Sequence, residues 1–173
     1  MASTVQDFYA AAQRGLSRDF LFRVMNITGH AGGGDMIGDG DLVFATSAAL
    51  PGRVIEDKVA NYFGQEFHLG GRATYNNSAG YPIEFYCSED AGIRKNLEAM
   101  SNETFRFGVG AYGIGDATID LAVINKQLNP VATCKLVGAQ IREIGDISYQ
   151  IADGTGETVR FSATFAYQWS EIS

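Results

Sequence analysis

The sequence predicts a mainly β protein: an antiparallel β-sandwich or barrel with one packed α-helix, a long protruding β-hairpin and a short N-terminal helix. Three observations lead there. From Val159 to Trp169 apolar and polar residues alternate with Ala166 as the one exception, the period-two signature of a half-buried strand. Glycine is abundant at 21 residues and proline scarce at three, beside many aromatic and β-branched residues, a mixture that suits strands joined by tight turns. Inside the domain only the segment from Ser88 to Met100 has a helical period.

The elements follow in order. Thr4 to Ala12 reads as a short helix, with Thr4 as cap, Asp7 in the first turn and Gly15 as a stop; Val5, Phe8 and Ala12 share one face. Phe20 to Thr28 is a strand with apolar residues on both faces. His30 to Gly40 is a Gly/Asp loop, Asp41 to Ser47 a second strand, and Leu50-Pro51-Gly52 a turn. Val54 to Leu69 is a long hairpin; Gly64-Gln65 is expected at its turn as a type II′ pair, and Gly70-Gly71 is expected to release the chain.

Tyr81, Ile83, Phe85 and Cys87 alternate with Pro82, Glu84 and Tyr86, and Pro82 marks a strand start or an edge. Ser88-Glu89-Asp90 offers a capping hydroxyl and two first-turn acids, and Ile93, Leu97 and Met100 then form one apolar helix face. Three further strands are expected, around Ile119, Leu121 and Val123, over Val131 to Val137, and around Ile147, Tyr149 and Ile151. Asp153 to Gly156 is a turn. In the last strand Val159, Phe161, Ala163, Phe165, Tyr167 and Trp169 face one way. The count is about eight strands, arranged as a sandwich or barrel with a helix packed on it.

The chain of 173 residues suits a single domain, 1–173, able to bury its own core. Acids outnumber bases 20 to 13, giving −7, and no basic cluster larger than Arg94-Lys95 appears. A phosphate-gripping surface needs a basic face, so direct nucleic-acid binding is disfavoured. Cys87 and Cys134 both lie in strand-like segments and read as reduced buried thiols. No secretory signal and no apolar run of membrane-spanning length is seen, so a soluble protein made in a cytoplasm is expected.

Local motifs for chemistry are weak. Gly108, Gly110 and Gly113 match GxGxxG, but a helix precedes them and a strand follows, the reverse of a dinucleotide fingerprint. Asp35, Asp39 and Asp41 sit in a Gly-rich loop without the spacing of a calcium loop. His30 and His68 have no nearby ligand partners for zinc. No catalytic residue, cofactor or metal is therefore assigned.

The hairpin poses a physical problem. Val54, Ile55, Val59, Tyr62, Phe63, Phe67 and Leu69 are apolar and fall on both faces. A two-stranded ribbon is barely stable alone, and one apolar on both faces needs covering. Either both strands lie within the domain's own sheets, or the ribbon extends outward and pairs with a neighbouring subunit, a head-to-tail contact that closes into a ring when the rotation permits.

The order of these pieces resembles the tail tube proteins of contractile-tailed phages and, more distantly, the tube proteins of type VI secretion systems. The likeness runs over nearly the whole chain: Phe20-Leu21-Phe22-Arg23-Val24; Ala48-Ala49-Leu50-Pro51-Gly52-Arg53, like the family's ATALPxG turn before its hairpin; the helix from Ser88 to Met100; and, most specifically, Lys135 to Gly138, Ile144 to Ile147, Glu157 to Phe161 and Tyr167 to Trp169. One departure is Ser78-Ala79-Gly80-Tyr81-Pro82, where an FDDW segment is common in the family.

The resemblance implies a structural subunit that forms hexameric rings stacked into a hollow tube inside a contractile sheath, located in a virion tail assembled in the host cytoplasm. It implies that the hairpin (Val54, Ile55, Val59, Tyr62, Phe63, Phe67, Leu69) and the N-terminal segment (Val5, Phe8) join neighbouring subunits. The implied partners are further copies of the chain, the sheath protein, a baseplate tube initiator, the tape measure protein and a tail terminator. DNA would pass through the lumen without specific binding, and Asp35, Asp39, Asp41, Asp146, Asp153 and Glu157 are the candidates for its acidic lining. The alternatives are the tube of another contractile device (a phage-tail-like bacteriocin or a type VI secretion system), a baseplate-proximal initiator, and a monomeric β-sandwich ligand-binding module.

Overall fold

The computed structural model describes residues 19, 21–29, 35–37, 42, 44–75, 79–104, 116–149 and 156–173. These contain β1 (Phe22–Thr28), β2 (Asp35–Ile37), β3 (Ala45–Ser47), β4 (Arg53–Tyr62), β5 (Gln65–Tyr75), β6 (Tyr81–Tyr86), α1 (Gly92–Thr104), β7 (Ala117–Ile124), β8 (Pro130–Ile144), β9 (Arg160–Ala166) and β10 (Trp169–Ile172). The architecture is mainly β, with all described pairings antiparallel, as expected. Eight of the strands form one curled sheet in the order β2-β1-β7-β8-β9-β6-β3, with β10 also on β8, while β4 and β5 pair only with each other.

The curl comes from β8. Along one edge it pairs with β7 from Pro130 to Ala139; along the other it pairs first with β10 at Cys134–Val137 and then with β9 at Gln140–Ile144. One strand thus belongs to two sheet halves. The change occurs at Gly138, the extra residue between Val137↔Thr118 and Ala139↔Ala117, with φ 69°. A bulge with a left-handed glycine bends a strand and raises its twist. It also shifts the inward phase: Cys134 and Leu136 point to the core before it, Ala139 and Ile141 after it.

The two halves close on one core. Val24, Ile27, Ile119 and Leu136 from one half meet Ile83, Phe85, Phe161 and Phe165 from the other. Phe85 and Phe161 stack at 5.7 Å. α1 packs on β8 and β2 through Ile93, Leu97 and Met100, the face its period predicts. Each such fully buried side chain contributes about 1.5–3 kcal/mol. No helix among the described residues is long and apolar enough to cross a membrane.

Several expectations change. The loop from His30 to Gly40 contains β2, drawn into the sheet by pairing with β1 at Ile27↔Ile37. The strand over Asp41 to Ser47 shrinks to β3, with Leu42 helical and buried. Phe20 lies outside the described residues, and the first strand opens at Phe22. The strand Val131 to Val137 lengthens to Pro130–Ile144, because β9 offers it a second partner. Ile147 and Tyr149 are not in a strand: after Ile144 the Gly145 N–H donates to the Ser162 carbonyl and the chain leaves the sheet. Ile147 still packs on the core, and Tyr149 is exposed.

The last strand is broken. Phe161, Ala163, Phe165 and Tyr167 are buried as expected, but the Gln168 N–H donates to the Val137 carbonyl and β10 turns onto β8, leaving Trp169 half exposed. The helix also starts later than the acids suggest. Asp90 precedes it and accepts from the Ser88 hydroxyl (2.6 Å) and the Gly92 N–H (3.1 Å). These bonds, Ser88 first, hold its carboxyl below the usual range. The ionised form is the cap, so its contribution is complete above the ordinary aspartate range and falls away as pH drops through the depressed folded value. The expected N-terminal helix, the GxGxxG segment and the turn residues Asp153 to Thr155 lie outside the described residues.

Replacing Gly138 by valine forces a β-branched residue into the left-handed region at the strand's bend. The expected loss is about 1–3 kcal/mol of stability, read as a lower urea midpoint, against little change for Val131→Thr on the exposed end of the same strand. Equal midpoints for Gly138→Val and wild type would show that the bend does not depend on that conformation.

Candidate assembly site

The chain reaches the hairpin through Ala48-Ala49-Leu50, which lies beside Phe22 of β1 and Leu121, Ala122 and Val123 of β7 at the margin of the core, and then Pro51-Gly52. The root is anchored by aromatic residues. The Tyr81 hydroxyl donates to the Ala49 carbonyl, and burial pushes the Tyr81 phenol above its usual range, keeping it a neutral donor. Tyr167 stands edge-on to both Tyr81 and Tyr75, with ring centres 6.1 Å apart in each pair. Tyr75, the last residue of β5, is half buried against the core. Sequence reasoning missed this root; its only signal was a tyrosine at each of three strand ends.

Beyond the root the ribbon leaves the body. β4 and β5 run from Arg53↔Tyr75 to Tyr62↔Gln65, longer than the expected Val54 to Leu69. Gly70-Gly71 does not release the chain. It lies within β5 at a bulge, where Glu56 stands opposite an extra residue, and a Cβ on Gly71 would come within 2.7 Å of the Glu56 carbonyl oxygen. Arg72 clips the bulge by two bonds to Glu56 through Nε and a third through Nη2, at 3.0–3.1 Å.

The turn also differs from expectation. Its two central residues are Phe63 and Gly64, both with positive φ (50° and 76°), a type I′ rather than a II′ geometry. The right-handed twist of the strands favours that turn, and here it holds an aromatic residue where Asn or Gly is usual. Phe63 is 92% exposed, touching Tyr62 edge-on at 4.7 Å.

The register assigns the faces. Lys58↔Leu69, Ala60↔Phe67 and Tyr62↔Gln65 share one face, so Ala60, Tyr62, Phe67 and Leu69 make an apolar stripe with Val54 further down. Val59 and Ile55 lie on the other face, with Asp57, Asn61, Glu66 and His68. There His68 Nδ1 meets Asp57 Oδ2 at 2.5 Å, so His68 has a carboxylate partner rather than a metal set. Among the described residues no group of three or more metal-ligating side chains occurs. Val54, Ile55, Val59, Tyr62, Phe63, Phe67 and Leu69 are all exposed. The ribbon is thus outside the chain's own sheets. Val5 and Phe8 lie outside the described residues.

Of the acidic candidates, Asp146 and Glu157 are exposed and flank the core end of β9, one after Gly145 and one before Arg160. Asp35 lies on β2, and Asp39, Asp41 and Asp153 lie outside the described residues.

Comparison with solved structures gives a consistent picture. A chain of the anti-feeding prophage tube-terminating cap superposes with TM-score 0.58 at 12% identity, covering 91% of each chain. A chain of the sheath/tube terminator of PVC, an extracellular contractile injection system, superposes at 0.57 and 8% identity over 90% of this chain and 95% of that one. A chain of the PVC sheath–tube complex in the extended state gives 0.52 at 7% identity over 99% of both. The chain has the contractile-injection tube fold. No family model and no curated protein matches it by sequence. At 7–12% identity the tube fold persists without recognisable sequence, because only the pattern of inward apolar positions and bends is required.

The tip of this tube fold carries Phe63 at positive φ, and among the described residues its ring contact is with the exposed Tyr62 alone. Phe63→Asn relieves the positive-φ cost and is expected to raise the thermal midpoint of the isolated subunit modestly, by up to about 1 kcal/mol of stability. A lower midpoint for the variant would mean that Phe63 packs within the subunit after all.

Proposed function

We propose that the chain is a structural subunit of a contractile tail tube, which assembles into rings that stack as a hollow conduit within a sheath. One observation carries this reading: a long ribbon, with an apolar stripe on one face and Ile55 and Val59 on the other, that the described sheets of its own chain leave exposed. Exposed apolar patches of this kind mark protein contacts. A ribbon projecting from one surface to meet a different surface of the next copy makes a heterologous contact, the kind that generates rings and filaments. The tube fold supports the same assembly.

The finer reading is a phage tail tube with hexameric rings, whose lumen passes DNA. The overall charge of −7 supports it, because an acidic wall repels phosphates and does not hold them. Asp35, Asp146 and Glu157 are the described acids proposed for that wall. The partners follow from the role: sheath along the outside, a baseplate initiator and a terminator at the ends, and a tape measure protein within the lumen. In this role the protein catalyses no reaction.

A second reading is favoured by one observation. Chains from the cap and sheath/tube-terminator structures superpose at 0.58 and 0.57, beside 0.52 for a chain of the sheath–tube complex. A terminator makes one ring and stops. Negative-stain electron microscopy of concentrated protein separates the two: long hollow tubes for a tube subunit, single rings for a terminator. Only monomers at every concentration would overturn both.

The ribbon's part is tested by Phe63→Asp combined with Phe67→Asp. The double variant is expected to keep its circular dichroism and thermal midpoint, since both side chains lie outside the core, while rings and tubes disappear and light scattering falls to the monomer value. Assembly equal to the wild type would remove the ribbon from the joint.

A further inference from the structure

The ribbon changes character at its bulge. Between root and bulge, residues 53–55 pair with residues 73–75, and Tyr75 is packed against the core. Beyond the bulge, residues 57–70 pair only with one another, and Tyr62↔Gln65 is the last pair. At the bulge itself Glu56 faces two residues, Gly71 and Arg72. A bulge interrupts the ladder, so this is the level at which the ribbon parts most easily. The inner part is a short stem held by the body, and the outer part is a blade held by the stem.

Two charge pairs sit at that level. On one face the Arg72 guanidinium donates to the Glu56 carboxylate through Nε at 3.1 Å and Nη2 at 3.0 Å. On the other face the Asp57 carboxylate accepts from His68 Nδ1 at 2.5 Å. Glu56 and Asp57 are consecutive strand residues, so their side chains leave opposite faces. Both pairs tie β4 to β5, and the Glu56–Arg72 pair spans the bulge. An arginine fork on a carboxylate fixes direction as well as distance. Gly71 completes the joint: a Cβ there would lie 2.7 Å from the Glu56 carbonyl oxygen, so glycine allows the close approach of the two strands.

An exposed ion pair adds little to a well-packed fold, but a two-stranded ribbon has little stability of its own, and here small terms decide order. We propose that the two pairs form a salt-sensitive brace. Closed, they hold the blade in line with the stem; open, the blade loses its ladder while the stem and the body keep theirs. Both pairs are exposed, so dissolved ions reach them. The screening length falls from about 10 Å at 0.1 M salt to about 3 Å at 1 M. A closed brace holds Tyr62, Phe63, Phe67 and Leu69 in one arrangement and lowers the ordering cost of any contact they make. The brace acts within one subunit and does not rest on the tube reading.

Hydrogen exchange of the full chain tests this, read by mass spectrometry at a dilution where light scattering shows monomers. Rates in residues 57–70 are compared with those in residues 73–75 of the same sample. In Arg72→Ala and in Asp57→Ala the blade is expected to exchange roughly threefold to tenfold faster, and faster still in the double variant, while the stem and the core strands stay as they are. Glu66→Ala, which removes an exposed blade charge outside both pairs, is expected to change nothing. In 1 M sodium chloride the wild-type blade is expected to approach the double variant, and the double variant to change little. A wild-type rate in the Arg72→Ala blade, a wild-type blade indifferent to salt, or an equal acceleration by Glu66→Ala would each overturn the brace. Equal acceleration of stem and blade would show that the ribbon opens as one piece and would remove the joint from the bulge. The formation of rings or tubes is decided separately by microscopy.

Discussion

A single strand serving two sheet halves is the constraint on which this structure depends. β8 must pair with β7 on one edge and with β10 and then β9 on the other, and its side chains must point to one core throughout. A regular strand cannot do both, because its faces alternate without interruption. The bulge at Gly138 resolves the conflict by inserting one residue, which bends the strand and resets which positions face inward. The curl of the sheet, the meeting of Phe85 with Phe161, and the seat for α1 follow from that bend.

The hairpin follows the opposite logic. Among the described residues nothing in the body pairs with β4 or β5, and the ribbon is ordered by its own ladder, the Glu56–Arg72 clip and the tyrosine cluster at its root. Two-stranded ribbons are marginal by themselves. Here the root is packed by tyrosine rings, the tip holds Phe63 at positive φ, and the apolar side chains between them are exposed. That is the property the proposed assembly requires.

The electrostatics fit the same division. Three charges of each sign balance along the ribbon, while the rest of the chain holds the acidic excess. An acidic body repels like charges and makes a poor surface for phosphates. Neighbouring solved structures drawn from contractile injection machines preserve the tube fold at 7–12% identity. That tolerance is expected where the core asks only for volume and patterning.

Much of this was legible in the sequence because it is written locally. Period-two alternation located Phe161, Ala163, Phe165 and Tyr167 in the core, helical spacing located Ile93, Leu97 and Met100, and an apolar pattern on two faces marked the hairpin as needing a partner. What stayed hidden depends on distant segments. Val137 decides where the last strand breaks, by taking the Gln168 N–H. Ser162 decides that Gly145 to Tyr149 leaves the sheet, and Glu56 decides that Gly70-Gly71 continues a strand. The turn at Phe63-Gly64 was misplaced by one residue because an aromatic at positive φ contradicts local preference, and the twist of the paired strands overrides that preference. By itself the sequence determined which side chains must be buried. Only the tertiary structure decided where strands bend, break and part from the body, because those events depend on hydrogen-bond partners that lie far away along the chain.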